Sequence, residues 1–466
     1  MISVQNLRQL LNGNNILFLS IFFLLAFTSC TISKISGKEH AKVYLPDENK
    51  EIVTILDTVR PDTLEWIDDA EIIENDTQNI NVLLEDKNDT TTRNYKIDVL
   101  IPMDSYTVAG SLEDIEQSST NAMLHYYGGM IMALVDMKEK GANFTVNVFD
   151  APVEQDRVKD YLVSAENNKP DIIIGPNEKE QLKKVNDFAR KYSIPVVAPW
   201  RAIPNCSNNN SEYIQLKPSL DSYYELMISD IDEKFSPEDV FVVGTDDSQS
   251  KNRIKNILEM HKRNSSGGKD YNQMFVPFIK LESDKPVFSA LFSSPNKSKA
   301  IILPNWSVKD EDFLFTCLRK LNIEKSSNEV VVYGMPILLN SEKISYDIFK
   351  RLNVRIVSPN FLDETDIMVR EFKLNFYKQF NVFPEPEAYE GYDMMAFVGS
   401  NILQYGTKFY QEIENKELDL LTTGYLLSKQ KTENSEKPEA EADSVFFENK
   451  KLYIIGFENN SFIKVK

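Results

Sequence analysis

Residues 171–200, DIIIGPNEKEQLKKVNDFARKYSIPVVAPW, constrain the fold most strongly. The segment begins with three isoleucines before a Gly-Pro turn and closes with the apolar run PVVA before Pro199. Between these runs, Leu182, Val185 and Ala189 recur at helical spacing. Apolar runs without alternation are typical of strands buried on both faces of a parallel sheet, and a helix between two such strands makes a right-handed crossover. The segment therefore predicts an α/β fold with a ligand-binding edge at the carboxyl ends of its strands.

The alternation of strands and helices occurs twice along the chain. Strand-like runs at residues 97–102 and 144–150 precede the opening segment, and runs at residues 239–244, 299–304 and 329–334 follow it. This pattern predicts two Rossmann-like, doubly wound α/β lobes. Because a third section is too small for a domain of its own, we expect the chain to cross between the lobes and return. The predicted boundaries are residues 94–212 and 335–428 for lobe 1, residues 213–334 and 445–466 for lobe 2, and a disordered loop at residues 429–444.

Residues 1–30 have the pattern of a processed export signal. The uncharged apolar run at residues 16–27 is too short to span a bilayer comfortably and suits the core of a signal peptide. It ends in Phe-Thr-Ser-Cys, which resembles the bacterial lipoprotein signal, in which small residues precede a lipid-bearing cysteine. The resemblance implies that Cys30 carries the lipid, palmitate included, and anchors the protein to a membrane. The absence of acidic residues at 31–34, together with the habit of such lipoproteins, favours the periplasmic face of the outer membrane. The alternative is an ordinary signal peptide with an incidental cysteine.

Acidic residues are concentrated near the start of the mature chain. The net charge is −19, and residues 46–93 contain 14 acidic and 4 basic side chains, a net of −10. Such a segment cannot offset its ordering entropy, so we expect residues 31–93 to be an acidic disordered tether. The overall charge argues against binding nucleic acid, which needs a basic face.

The order and spacing of several segments resemble the type I periplasmic-binding-protein family, of the branched-chain amino-acid receptor kind. The resemblance rests on residues 126–141 (YYGGMIMALVDMKEKG), Asp150, residues 171–176 (DIIIGP), residues 194–199 (IPVVAP) and residues 390–393 (EGYD), and it extends over residues 95–466. It implies two lobes joined by three crossovers that close on a ligand by hinge bending. It also implies a substrate-binding function, without catalysis, for amino acids, amides or short peptides.

The turns that hold the ligand in amino-acid receptors have different residues here. In that family, small hydroxyl residues after the third and fourth strands help to hold the ligand carboxylate at helix N-termini. Asn177 and Glu178 follow the third strand in this chain, and Glu178 would repel a carboxylate. Trp200 and Arg201 follow the fourth strand, where Arg201 is suited to pair with an anion.

The resemblance and the strand pattern together predict a cleft between the carboxyl edges of the two sheets. The residues expected to line it each follow a predicted parallel strand: Ser105, Tyr106, Asn177, Trp200, Arg201, Asp246 and Trp306. Arg201 is the only cation in this set, so we expect a ligand with an anionic or strongly accepting group. The two tryptophans are expected to supply apolar walls.

Other functional classes find little support in the sequence. Only three histidines are present, no metal-ligand spacing or catalytic triad can be assembled, and no cofactor-binding motif occurs. We therefore predict no catalytic residue, metal or cofactor. A second hypothesis is an envelope lipoprotein with a vestigial cleft that docks on and regulates a cell-wall or envelope machine, since some outer-membrane lipoprotein activators of peptidoglycan synthases use this fold. The acidic tether and the altered turns favour that hypothesis.

Overall fold

The computed structural model describes residues 62–64, 93–103, 119–152, 157–203, 210–264, 269–293, 298–431 and 445–466. The predictions for the signal segment with Cys30, for Ser105 and Tyr106, and for most of the tether lie outside these residues. The strands are β1 Asp62–Leu64, β2 Tyr95–Ile101, β3 Phe144–Asp150, β4 Ile172–Ile174, β5 Val196–Ala198, β6 Tyr213–Gln215, β7 Val240–Gly244, β8 Asn272–Phe275, β9 Lys299–Ile302, β10 Val330–Gly334, β11 Arg355–Ser358, β12 Glu417–Asp419, β13 Gly424–Lys431, β14 Val445–Asn449, β15 Tyr453–Glu458 and β16 Ser461–Lys464. The helices are α1 Ser119–Glu139, α2 Val158–Asn167, α3 Lys179–Tyr192, α4 Leu220–Lys234, α5 Ser248–Asn264, α6 Phe278–Glu282, α7 Glu311–Glu324, α8 Tyr346–Arg351, α9 Ile367–Phe380, α10 Pro386–Tyr405 and α11 Phe409–Glu412.

The described strands form two mixed sheets, one for each lobe. The first has the order β1-β3-β2-β4-β5-β6-β14-β13-β12, and its central strands from β3 to β14 are parallel. The second has the order β16-β15-β11-β10-β9-β7-β8, with β7 to β11 parallel. Antiparallel strands occur only at the ends of these described sheets. The predicted class, two doubly wound α/β lobes, is confirmed.

The chain crosses between the sheets at positions that differ from the predicted boundaries. Strand β6 pairs with β5 in the first sheet, β11 pairs with β10 in the second, and β14 pairs with β6 in the first. The crossovers therefore follow Gln215, Ser358 and Asn449. A strand of three to five residues carries no local signal of the sheet that it joins, because its partners are distant in sequence.

Two segments that we expected to be disordered contribute strands. Within the predicted tether, β1 pairs antiparallel with β3 in the register Thr63↔Asn147. Within the predicted loop at residues 429–444, Lys429 and Lys431 belong to β13 and pair with Phe447 and Val445 of β14. Both segments are polar and their periodicity is weak, so the partner strand determines their structure.

The core of lobe 1 places α1 against α10 at very short range. A Cβ atom added to Gly129 of α1 would lie 1.8 Å from the carbonyl oxygen of Ala388. One added to Gly391 of α10 would lie 2.0 Å from the carbonyl oxygen of Tyr126. Only glycine permits this approach, and the contact fixes Tyr126 and Glu390 beside the crossovers. None of the helices in the described ranges is long and apolar enough to cross a membrane.

Candidate ligand cleft and hinge

The carboxyl ends of both sheets reach a small cavity at the crossovers. Lys217 follows β6 of the first sheet, Asn360 follows β11 of the second, and Asn449 ends β14. The cavity measures about 10 Å³, roughly the room that one water molecule needs. The side chains around it are mostly polar, and a cavity of this size has no room for a small-molecule ligand. We refer to this junction of the three crossovers as the hinge.

Glu390 of α10 connects the first two crossovers. Its Oε2 accepts a hydrogen bond from Nζ of Lys217 at 2.8 Å, and its Oε1 accepts one from Nδ2 of Asn360. Both partners of the ion pair are about one quarter exposed. A single side chain of lobe 1 therefore holds the segment that leaves the first sheet and the segment that leaves the second.

Asn449 connects the third crossover to the first. Its Nδ2 donates to the carbonyl oxygen of Leu216 at 3.1 Å and to that of Gly424 at 2.9 Å. Its Oδ1 accepts from the backbone N–H of Leu426 at 2.8 Å and of Lys451 at 3.0 Å. The buried amide thus satisfies four backbone groups, which makes this position hard to replace.

Asp393 of α10 anchors the loop that lies next to the second crossover. Its carboxylate accepts hydrogen bonds from the backbone N–H groups of Leu421, Thr422 and Thr423, each at 2.9 Å, and from the Thr422 hydroxyl. Burial raises the pKa of Asp393 to about 6, against the lowering effect of these hydrogen bonds. Thr423 in turn forms an isolated β-bridge with Asn360, so the anchored loop supports the hinge.

The turn after β4 is occupied by the chain's own side chains. Glu178 is the N-cap of α3, and its Oε2 accepts a hydrogen bond from the backbone N–H of Gln181 at 2.9 Å. A Cβ atom at Gly175, whose φ is +84°, would lie 2.7 Å from Cζ3 of Trp200. The indole ring of Trp200 also contacts Tyr126, with ring centroids 5.5 Å apart. Trp200 therefore packs against Gly175 and Tyr126 of lobe 1.

Several polar atoms near these turns are buried and have no hydrogen-bond partner among the described residues. On lobe 1 they are Oδ1 of Asn177 and Nε1 of Trp200. On lobe 2 they are the side-chain atoms Nδ2 and Oδ1 of Asn305, a residue that follows β9 and is 1% exposed. Buried polar groups are normally satisfied, so each of these is a candidate for ligand or water contact.

The remaining predicted residues lie at the surface of their own lobes. Arg201 is exposed after β5. Asp246 is exposed and pairs with Lys251 at 2.6 Å. Trp306 is 51% exposed, and the guanidinium carbon of Arg253 lies 5.8 Å from its ring centroid. The structure places Asn177 and Trp200 around one turn of lobe 1, and it gives Asp246 and Trp306 partners within lobe 2.

Two further turns, both in lobe 2, also carry their own carboxylates. Asp247 accepts hydrogen bonds from the backbone N–H groups of Gln249 and Ser250 at the start of α5. Slight burial raises the pKa of Asp247. The hydrogen bonds from these two N–H groups and from the hydroxyls of Thr245 and Ser250 outweigh it and lower the pKa to about 2. Asp310 closes a capping box with Ser307 before α7 and pairs with Nη1 of Arg253 at 3.1 Å.

Sequence reasoning missed the hinge residues Lys217, Asn360 and Asn449, and it missed Asn305. The motif EGYD at residues 390–393, which supports the family resemblance, was the available signal for the hinge. In the structure the motif lies inside α10. Glu390 there contacts the first and second crossovers, and Asp393 accepts hydrogen bonds from the loop at residues 421–423. The described residues contain no group of His, Cys, Asp and Glu side chains arranged to hold a metal ion.

The two lobes, their sheet order and the three crossovers define the type I periplasmic-binding-protein class. Residues 126–409 match the model of the family described as "Receptor family ligand binding region", and the chain belongs to this family. No curated protein matches the sequence.

Solved structures with the same fold include transport-associated binding proteins and the protein LpoA. A putative branched-chain amino acid ABC transporter protein from Rhodospirillum rubrum is 12% identical, with a TM-score of 0.55 over 80% of this chain and 99% of that one. A periplasmic ligand-binding protein of a branched-chain amino acid ABC transporter from Burkholderia xenovorans is 12% identical, with a TM-score of 0.50 over 80% and 94%. Full-length LpoA from Haemophilus influenzae is 14% identical, with a TM-score of 0.51 over 81% of this chain and 60% of that one. At these identities the similarity concerns the fold.

Proposed function

We propose that this protein is a non-enzymatic binding protein of the bacterial cell envelope that closes its two lobes on a small polar ligand. The observation that carries the proposal is the polar hinge. Glu390 contacts the first and second crossovers, and Asn449 connects the third to the first. A hinge of hydrogen-bonded polar side chains can exchange partners as the lobes move, which an apolar core cannot do at low cost.

We propose that the ligand is amide-like or peptide-like and lacks a free carboxylate at the lobe 1 turn. Glu178, Asp247 and Asp310 already occupy the helix starts that would otherwise attract an anion. A second carboxylate beside any of them would be repelled. A carbonyl group remains suitable, because it can accept hydrogen bonds from Arg201 and from Nε1 of Trp200, which has no described partner.

This ligand class can be tested with a matched pair of compounds. Leucinamide and leucine differ only in the replacement of the carboxylate by an amide, and isothermal titration would compare their binding to the full chain. We expect the amide to bind at least tenfold more tightly, about 1.4 kcal/mol. In Glu178→Gln the difference should shrink, whereas Glu180→Gln, the same charge change on an exposed side chain paired with Lys183, should leave it unchanged. Leucine binding as tightly as leucinamide to the wild type would contradict the proposal.

We also propose that Cys30 is lipidated and holds the protein at the periplasmic face of the outer membrane. The support is the apolar run of residues 16–27 followed by Phe-Thr-Ser-Cys and the absence of acidic residues in residues 31–34. Labelled palmitate should enter the wild type but not Cys30→Ala, and Cys206→Ala serves as the control. Equal label in wild type and Cys30→Ala would contradict lipidation at this residue. Recovery of the wild type in the inner-membrane fraction would contradict the outer-membrane location.

A second candidate function is that of an envelope lipoprotein that docks on a partner protein. The observation in its favour is the packing of Trp200 against Gly175 and Tyr126, which fills space at the turn after β4. In that case the amide would not bind, and Trp200→Ala would create room at the turn without affecting the partner complex. Chemical cross-linking in whole cells would then capture one envelope protein with both the wild type and this variant.

A further inference from the structure

Lobe 1 contains a polar groove on the sheet face that α2 covers. The groove has a volume of about 460 Å³, within the range of roughly 300–1,000 Å³ that is common for small-molecule sites. Asp98, Asn147 and Tyr161 line it, as do Lys96, Ser164 and Asn168. It lies along β2 and β3 before their carboxyl ends, whereas the cleft and hinge lie beyond those ends.

The polar character of this face is local. Along β2, Ile97, Val99 and Ile101 point into the core shared with α1 and α10, and Lys96 and Asp98 alternate with them. The register pairs Lys96 with Thr145 and Asp98 with Asn147 on β3. One step further along the same face, Leu100 and Phe149 are buried and apolar under α2 and α3. The short α2 thus covers an apolar half of the face and leaves a polar half beside it.

Asp98 is the unusual residue of the groove, because it is a carboxylate that is only 2% exposed. Its Oδ1 accepts from Nδ2 of Asn147 at 2.7 Å and its Oδ2 accepts from the Tyr161 hydroxyl at 3.2 Å. Burial raises the pKa of Asp98, although Asn147, the charge of Lys96 and Tyr161 oppose the shift. A carboxylate can accept about four hydrogen bonds, and the described residues supply these two donors, so acceptor capacity is left for a ligand.

The charges around the groove balance. Nζ of Lys96 donates to the carbonyl oxygen of Asn168 at 2.5 Å. The neighbouring Asp171 accepts from the backbone N–H of Lys96 and pairs with Arg93 at 2.7 Å. With one ammonium and one carboxylate at the groove and a closed ion pair beside it, an ionic ligand gains no net attraction.

We propose that this groove is a second binding site and that it takes a neutral polyhydroxylated small molecule of the sugar class. Each hydroxyl of such a ligand both donates and accepts, which matches a surface of alternating carboxylate, amide, hydroxyl and ammonium groups. Asp98 accepts from the ligand hydroxyls, and the side chains of Lys96, Ser164 and Asn168 at the rim complete the polar contacts. Phe149 and Tyr161, whose rings meet edge to face at 4.8 Å, supply an apolar surface beneath. The site is independent of ligand binding between the lobes.

The test uses the full chain and ligand-observed saturation-transfer NMR with glucose, N-acetylglucosamine and sorbitol as neutral probes. Ser164→Trp fills the groove from an exposed position on α2. Val163→Trp introduces the same side chain next to it at a residue that is 69% exposed and outside the groove. Circular dichroism would verify that both variants are folded, and a variant that is not would be replaced by Ser164→Arg with Val163→Arg.

We expect at least one neutral probe to bind the wild type and Val163→Trp equally, and to bind Ser164→Trp at least about tenfold more weakly. Gluconate, the anionic counterpart of the open-chain sorbitol, should bind more weakly than sorbitol. Absence of a signal for all three neutral probes would overturn the proposal. So would equal binding to Ser164→Trp and Val163→Trp, since the site would then lie elsewhere. Binding of gluconate as strong as that of sorbitol, or stronger, would also overturn it.

Discussion

Asp393 offers a sharp test of how the hinge region is held together. Its fully buried carboxylate is the common acceptor for three backbone N–H groups of residues 421–423 and for the Thr422 hydroxyl. Asp393→Ala removes the shared acceptor from all four of these donors. Hydrogen bonds to charged groups contribute roughly 1.5–3 kcal/mol each and are not additive, so we expect a loss of about 4 kcal/mol in the free energy of unfolding near neutral pH. Asp393→Asn keeps one acceptor oxygen and should lose about 2 kcal/mol.

The same residue predicts a dependence on pH with a definite sign. Burial raises the pKa of Asp393 to about 6 in the folded state, above the value of about 3.9 in an unfolded chain. The folded state therefore holds this proton more tightly, and the contribution of Asp393 to stability falls as the pH rises from about 4 to about 6. Two pKa units correspond to about 3 kcal/mol. Asp393→Asn lacks this proton, so the difference in stability between wild type and Asp393→Asn should be larger near pH 4 than near pH 7.

Urea unfolding followed by tryptophan fluorescence would measure both effects, with the wild type and each variant compared at the same pH. Asp187→Asn is a matched control, because it removes an exposed carboxylate 3.5 Å from Arg190. It should change stability by no more than about 0.5 kcal/mol at any pH. Stability of Asp393→Ala equal to that of the wild type would refute this role of Asp393, and so would a difference between wild type and Asp393→Asn that is independent of pH.

Three further predictions concern the hinge, the core of lobe 2 and the helix contact. Glu390→Gln removes the charge that pairs with Lys217, so stability should fall by about 1 kcal/mol and small-angle scattering should detect more open lobes; an unchanged radius of gyration would contradict this. Cys317 is buried and burial raises the pKa of its thiol, so iodoacetamide should alkylate it only after unfolding, as mass spectrometry would show; modification of the folded protein would count against its burial. Gly129→Ala places a methyl group against the Ala388 carbonyl and should lower the urea midpoint by an amount equivalent to about 3 kcal/mol, whereas no change would refute the close packing of α1 and α10.

The parts of the fold that were predictable from sequence are those with a local apolar signal. The β4–α3–β5 unit follows directly from three isoleucines, a helical repeat and a second apolar run. The sheet membership of β6 and β11 was not predictable, because a short strand is assigned by its pairing partners. The strand β1 was not predictable either. The segment around Asp62 contains several acidic residues and shows no strand pattern, and it is a strand because it pairs with β3 in the folded sheet.

The candidate site was predictable only where the relevant contacts join residues that are close in the sequence. The effect of Glu178 followed from its position after β4, and its cap on Gln181 is three residues away. The orientation of Trp200 depends on the space beside Gly175, which sequence patterns do not encode. The ion pair of Lys217 with Glu390 joins residues 173 positions apart, so no local pattern could reveal the hinge.

The central claim is that the two lobes hold a small ligand without a free carboxylate at the lobe 1 turn. Native mass spectrometry of the protein released gently from its own membranes tests this most directly, with leucinamide and leucine added to aliquots from which any retained compound has been dialysed. We predict one small molecule without a free carboxylate that is retained by the folded chain, lost on unfolding, and displaced by leucinamide but not by leucine. A retained amino acid with a free carboxylate would contradict this proposal, as would a chain that carries no small molecule and gains no mass from leucinamide.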